Sequence, residues 1–208
     1  MKKSGVVYLG NSKFVALVRD NLLIVIFTLI FALGVLFSAL PFLSSLLKNP
    51  SQEILSLYLN SRLENAFFEQ FFTTFLISFS FIFSAFVFGA SLMGLAFVPF
   101  IIFSRGLLSG LLLGALYSQY GLSGIVVNLL SVIPGTVICV LALINVSSDS
   151  LNLSYSICKT VIGSNSVGYK FKFVNLLKKY AVALFITIIG SLFEVLLFNV
   201  FKKFLELR

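Results

Sequence analysis

Long apolar runs separated by short polar stretches dominate this chain, with little of the strict alternation that marks strands. The first run extends from Leu22 to about Leu43 and is entered from a segment carrying Lys13 and Arg19. A membrane helix needs about 20 mostly apolar residues, so the run predicts a span over about 22–43. A polar stretch, Lys48 to Gln70, opens on Asn49-Pro50-Ser51, which reads as a loop and then a helix start. Within this 48–70 segment Leu55, Leu59, Leu63 and Phe67 recur every four residues among Glu53, Arg62, Glu64 and Glu69. That spacing predicts an amphipathic helix, lying on the membrane surface or docking a partner.

From Phe71 to Tyr117 the chain is apolar apart from Arg105. One helix of that length would reach about 70 Å, so two spans are required. The turn is expected between Ser91 and Pro99, because Gly94 loosens a helix and Pro99 suits the first turn of a new one. The second and third spans are therefore expected at about 72–93 and 96–118. Residues Gln119 to Gly124 form a turn signal, and the fourth span follows at about 125–146. Pro134-Gly135 interrupts it, predicting a kinked or broken helix that faces protein. Residues 147–179 are polar and then basic, with Leu151, Tyr155, Cys158 and Val161 marking a second amphipathic helix. The fifth span is expected at about 180–200.

Composition sharpens the class. Apolar residues make up 59% of the 208 residues and charged ones only 11%, against about 25% charged in soluble domains. Mean hydropathy is +1.09. The expected fold is an all-α, polytopic membrane helix bundle forming a single membrane domain. The N-terminal Lys2, Lys3 and apolar run resemble a signal peptide, but the run exceeds the 7–15 residues of such a segment, and Phe37 is not a small residue at −3. An uncleaved first span is the better reading.

The net charge of +8 suits membrane orientation rather than nucleic acid, because most basic residues flank the apolar runs. With the N-terminus inside, the inner segments hold Lys2, Lys3, Lys13, Arg19, Lys159, Lys170, Lys172, Lys178 and Lys179. The outer segments hold only Lys48, Arg62, Lys202, Lys203 and Arg208. The excess predicts N-terminus inside and C-terminus outside. Cysteines placed at Ser51 or Ser61 should then react with an impermeant thiol reagent on intact cells, and one at Ser166 should not. The reverse labelling pattern would overturn this orientation.

There is no His, which removes His-based acid–base chemistry and His metal sites. Cys139 and Cys158 have neither a disulfide nor a metal-ligand spacing. No nucleophile–base pair, phosphate loop or ligand cluster is legible, so neither enzymatic activity nor a cofactor is expected. Arg105 and Glu194 are ionisable groups inside spans, each costing at least about 2.5–3.5 kcal/mol at the bilayer centre. A structural ion pair between them is the expectation, with a transport or relay site as the alternative. Gly106, Gly110, Gly114 and Ser118 share one face of the third span at four-residue spacing, a pattern that lets backbones approach. That face is expected to be buried by packing within the monomer, with an oligomer contact as the alternative.

The segment from Leu92 to Leu143 resembles the stage II sporulation protein M family of bacterial integral membrane proteins. The resemblance rests on SRGLLSGLLLGALYSQYGLSG at 104–124 and NLLSVIPG at 128–135, with Glu194 after Gly190 in the last span. Where family members commonly carry a polar residue after the Pro, this chain has Gly135, and where a second Pro often follows, it has Leu141. The resemblance implies a non-enzymatic scaffold in the bacterial cell membrane, at the sporulation septum. It would anchor two cell-wall-degrading partners, the stage II sporulation proteins D and P, during engulfment. A transporter or permease subunit is the competing expectation: a scaffold predicts a sealed bundle, a transporter a polar cavity near the midplane.

Overall fold

The computed structural model describes residues 22–38, 66–162 and 169–201. They form an all-α bundle: α1 (Leu22–Ser38), α2 (Phe67–Gly89), α3 (Gly94–Tyr120), α4 (Leu122–Val127), a π-helical turn (Asn128–Val132), α5 (Ile133–Ile162) and α6 (Tyr169–Phe201). Four helical rods are long and apolar enough to cross a membrane: α2, α3, α4 through α5, and α6. Helix α1 has 17 residues, about 26 Å at 1.5 Å per residue. The lateral surface is covered by large apolar side chains such as Leu29, Phe68, Phe100, Leu141 and Phe185. In water such a surface would drive aggregation; in a bilayer it is the solvated face. This is a multi-pass membrane protein.

Hydroxyls on the lipid side need partners, because hydrocarbon offers none. Helix α2 solves this locally: Thr73, Ser80 and Ser84 each donate to the carbonyl four residues back. Those bonds leave the helix surface effectively apolar.

The connections depart from expectation in instructive ways. The α2–α3 turn is Ala90–Met93, and Pro99 lies inside α3 rather than at its first turn. The next turn shrinks to Gly121, whose φ of +59° is open only to glycine without strain. Nothing lies within 4 Å of a Cβ built there, so the demand is conformational and not steric.

At Pro134 the rod does not break. The π turn sits immediately before it, with the Ile133 N–H bonding the Asn128 carbonyl five residues back, and the α-helix then continues to Ile162. Proline cannot donate to the carbonyl four residues earlier, and a π turn shifts the hydrogen-bond register just upstream.

Residues 147–162 are also different from the expected loop and amphipathic stripe. They continue α5, and their buried positions include Ser147, Ser150, Leu153 and Ser154, whereas Tyr155 and Val161 are exposed. The cause is the α2–α3 turn. A Cβ on Gly89 would lie 2.3 Å from the Ser150 Cβ, and one on Gly94 would lie 3.0 Å from the Ser154 Cβ. Ser154 Oγ donates to the Ser91 carbonyl at 2.8 Å. Small side chains on α5 are what allow it to clamp that turn.

Helix α1 packs mainly on α3, and α6 packs on α5, α2 and the π turn. Helices α3 and α6 each rest on α2 and α5 rather than on one another. Three apolar clusters fill the spaces. One joins Ile82, Ala85, Leu143 and Leu153; a second joins Leu112, Leu116, Val127, Val132 and Phe198; a third joins Phe27, Val98, Ile102 and Ile144 under α1.

Candidate functional site

Between the first two clusters the interior turns polar. Helix α2 buries Gln70, Thr74 and Ser78, spaced four apart on one face. Opposite them α6 buries Glu194, Ser191 and Thr187. The Asn199 amide donates to Gln70 Oε1 at 2.9 Å and to the Val195 carbonyl at 3.0 Å. That contact sets the antiparallel register, so Thr74 falls near Glu194 and Ser78 near Ser191. From Gln70 to Ser78 the seam runs about 12 Å along α2.

Arg105 enters from α3 at the Ser78 end of this seam and is only 8% exposed. Its guanidinium contacts Ser78 Oγ at 3.5 Å and lies 5.5 Å from the Phe81 ring centroid, so weak polar and cation–π contacts share its charge. Cys139 of α5 lies beside Ser78 and Ser191, within electrostatic reach of both Arg105 and Glu194. Glu194 is 1% exposed.

Arg105 and Glu194 meet the same cavity of about 280 Å³, with Thr74, Ser109, Asn128 and Thr136. Its remaining walls are apolar: Ile77, Leu108, Leu112, Val132 and Ile133. Asn128 begins the π turn and is 3% exposed, and its Oδ1 accepts no hydrogen bond from any described residue. Buried acceptors left in this state cost about 1–3 kcal/mol.

Arg105 and Glu194, expected to form an ion pair, are thus brought to one cavity, but not by the expected route. Gly106 does not admit α6: a Cβ there would lie 2.3 Å from the Phe31 carbonyl oxygen of α1. Gly190 does not face α3: its Cβ would lie 2.8 Å from Cys139 Sγ on α5. Gly135, across from it, brings α5 within 2.3 Å of the Glu194 Cβ for a notional methyl. The two charges approach across a cavity framed by α2 and α5, not through a direct α3–α6 contact.

The small-residue face of α3 divides in two. Gly106 and Gly110 are filled by α1, the latter facing the Val35 carbonyl and the Ser38 hydroxyl. Gly114 and Ser118, expected to be buried, are exposed, and nothing described lies within 4 Å of a Gly114 Cβ. Described α1 ends at Ser38, level with Gly110. Of the expected partner-docking stripe, Leu55, Leu59 and Leu63 lie outside the described residues, and Phe67 opens α2 at 45% exposure.

Sequence reasoning missed Gln70, Thr74, Ser78 and Asn128. Their signal was available in part, since polar residues at i, i+4 and i+8 stand out in a phenylalanine-rich helix. Thr73, Ser80 and Ser84 in the same helix blurred it. No protein-family model, curated protein or solved structure matches this chain.

Proposed function

We propose that this chain is a non-enzymatic integral membrane scaffold, similar in role to the stage II sporulation protein M family. It holds cell-wall-degrading partners, the stage II sporulation proteins D and P, at the membrane during engulfment. One observation supports the reading most. Of the residues behind the resemblance, Arg105-Gly106, Gly110, Pro134, Gly190 and Glu194 are scattered in sequence but contribute to one interior, whereas Gly114 and Gly121 stay open. Gly106 and Gly110 seat α1, while Gly135 and Gly190 interlock α5 with α6. Interfaces closed backbone against backbone suit a rigid anchor.

A fluorescent fusion of the chain should gather at the asymmetric septum in sporulating cells, and uniform membrane fluorescence at that stage would count heavily against the role. The docking part of the reading rests on the 48–70 segment. Leu59→Asp with Leu63→Asp places charge in its apolar stripe and should abolish most partner recruitment while leaving membrane insertion intact. Full recruitment by a stably inserted double mutant would remove the segment from the docking surface.

A second reading, a transporter or permease subunit, is favoured by the polar cavity at mid-height. It requires access from water to that cavity in at least one conformation. In a chain with Cys139→Ser and Cys158→Ser, a cysteine at Ser109 should then react with a small charged thiol reagent. A sealed scaffold leaves it unreactive.

A further inference from the structure

We propose that the cavity beside Arg105 and Glu194 binds the head of a neutral, hydroxyl-bearing lipid that enters sideways from the bilayer. The inference goes beyond the scaffold reading and does not depend on it.

Access comes first. Along the bundle axis the wall residues Leu112 and Val132 belong to the apolar cluster with Leu116 and Phe198, and in the other direction Ile101 and Ile82, one turn beyond Arg105 and Ser78, belong to the cluster with Leu143. Two of its wall residues nevertheless reach the surface: Leu108 is 40% exposed and Ile133 36%. Each lies about 17–18 Å of helix in from the Gly121 turn, more than half the thickness of a hydrocarbon core of about 30 Å. The mouth therefore faces acyl chains and not water. A ligand reaching it travels in the membrane.

Head chemistry follows from the groups inside. Arg105 and Glu194 carry opposite formal charges, so the head needs no net charge of its own. The guanidinium has only donors, and its described contacts are one long bond and one ring face. Asn128 Oδ1 is an acceptor with no described partner. A hydroxyl can accept from the first and donate to the second. A carboxylate has no proton for Asn128 and adds negative charge beside Glu194; an ammonium adds positive charge beside Arg105. Location agrees as well, because Asn128 sits in a π turn, a distortion frequent at functional sites.

Size completes the fit. About 280 Å³ lies at the lower edge of small-molecule pockets, which run about 300–1,000 Å³. It holds a head and the first carbons of a chain, leaving the tail among the lipids beyond Leu108 and Ile133.

The test uses the 208-residue chain in lipid nanodiscs and two photoreactive probes of equal chain length. One is a diacylglycerol with a diazirine close to its glycerol head; the other is a fatty acid with the diazirine at the same depth. The diacylglycerol should label peptides containing 105–112 and 128–136. Labelling there should fall about tenfold in Asn128→Leu and again in Leu108→Trp, which plugs the mouth from the exposed side and leaves the buried polar groups intact. The fatty acid should label the lateral surface without preference. Absence of cavity label, undiminished labelling in a folded Asn128→Leu or Leu108→Trp protein, or equal cavity labelling by the fatty acid would each overturn the proposal. The first of these outcomes would mean that the cavity holds only water.

Discussion

Replacing either Arg105 or Glu194 with leucine should lower stability by about 3–5 kcal/mol, and replacing both should recover much of that loss. Each is buried at mid-height and lines the same cavity. Removing one charge strands the other in a medium of low polarity, where desolvation is not offset. Removing both leaves a cavity without formal charge, lined by Thr74, Ser109, Asn128 and Thr136 among apolar side chains. Resistance to unfolding in detergent, measured for the two single mutants and the double, gives the coupling energy directly. Additive losses would mean that the charges do not meet across the cavity. Arg105 would then be satisfied by Ser78 and Phe81 alone, and the stability of the α2–α3 contact would depend on Ser78.

The second large effect distinguishes glycines that look alike in sequence. Gly106→Ala should destabilise the bundle by about 1–3 kcal/mol or more, as overpacking does when backbone must move. The added methyl would meet the Phe31 carbonyl oxygen at 2.3 Å and the Phe31 carbonyl carbon at 3.1 Å, neither of which can rotate away. Gly135→Ala should behave similarly, since Glu194 Cβ, Glu194 Cα and the Gly190 carbonyl oxygen all lie within 2.9 Å. Gly114→Ala should be neutral or stabilising by up to about 1 kcal/mol, because alanine is the better helix former and the space is open. Thermal unfolding of the purified variants in detergent checks the series. Equal losses at Gly106 and Gly114 would remove α1 from its place against α3.

The all-α nature of the bundle and the position of its apolar rods were legible in the sequence because hydrocarbon imposes a simple demand. Every backbone polar group must be bonded within the segment, so each run of about 20 apolar residues has one economical conformation. Leu22–Ser38, Phe67–Gly89 and Gly94–Tyr120 are therefore readable without neighbours. So is the isolation of Arg105 and Glu194, since a charge among apolar residues is visible wherever it stands. Which helices touch is another matter. Lipid tails are as apolar as leucine, so hydropathy carries no information on pairing; close contact at small residues decides it. Only the tertiary structure separates Gly106, closed by α1, from Gly114, which is open, although both lie on the same spacing. It also makes Ser150 and Ser154 interior, because the α2–α3 turn leaves room for nothing larger. And it alone gathers Thr74, Arg105, Asn128 and Glu194, from α2, α3, the π turn and α6, around one cavity. Composition along the chain determines that these helices belong in a membrane; the shape of their contacts determines where the polar groups meet.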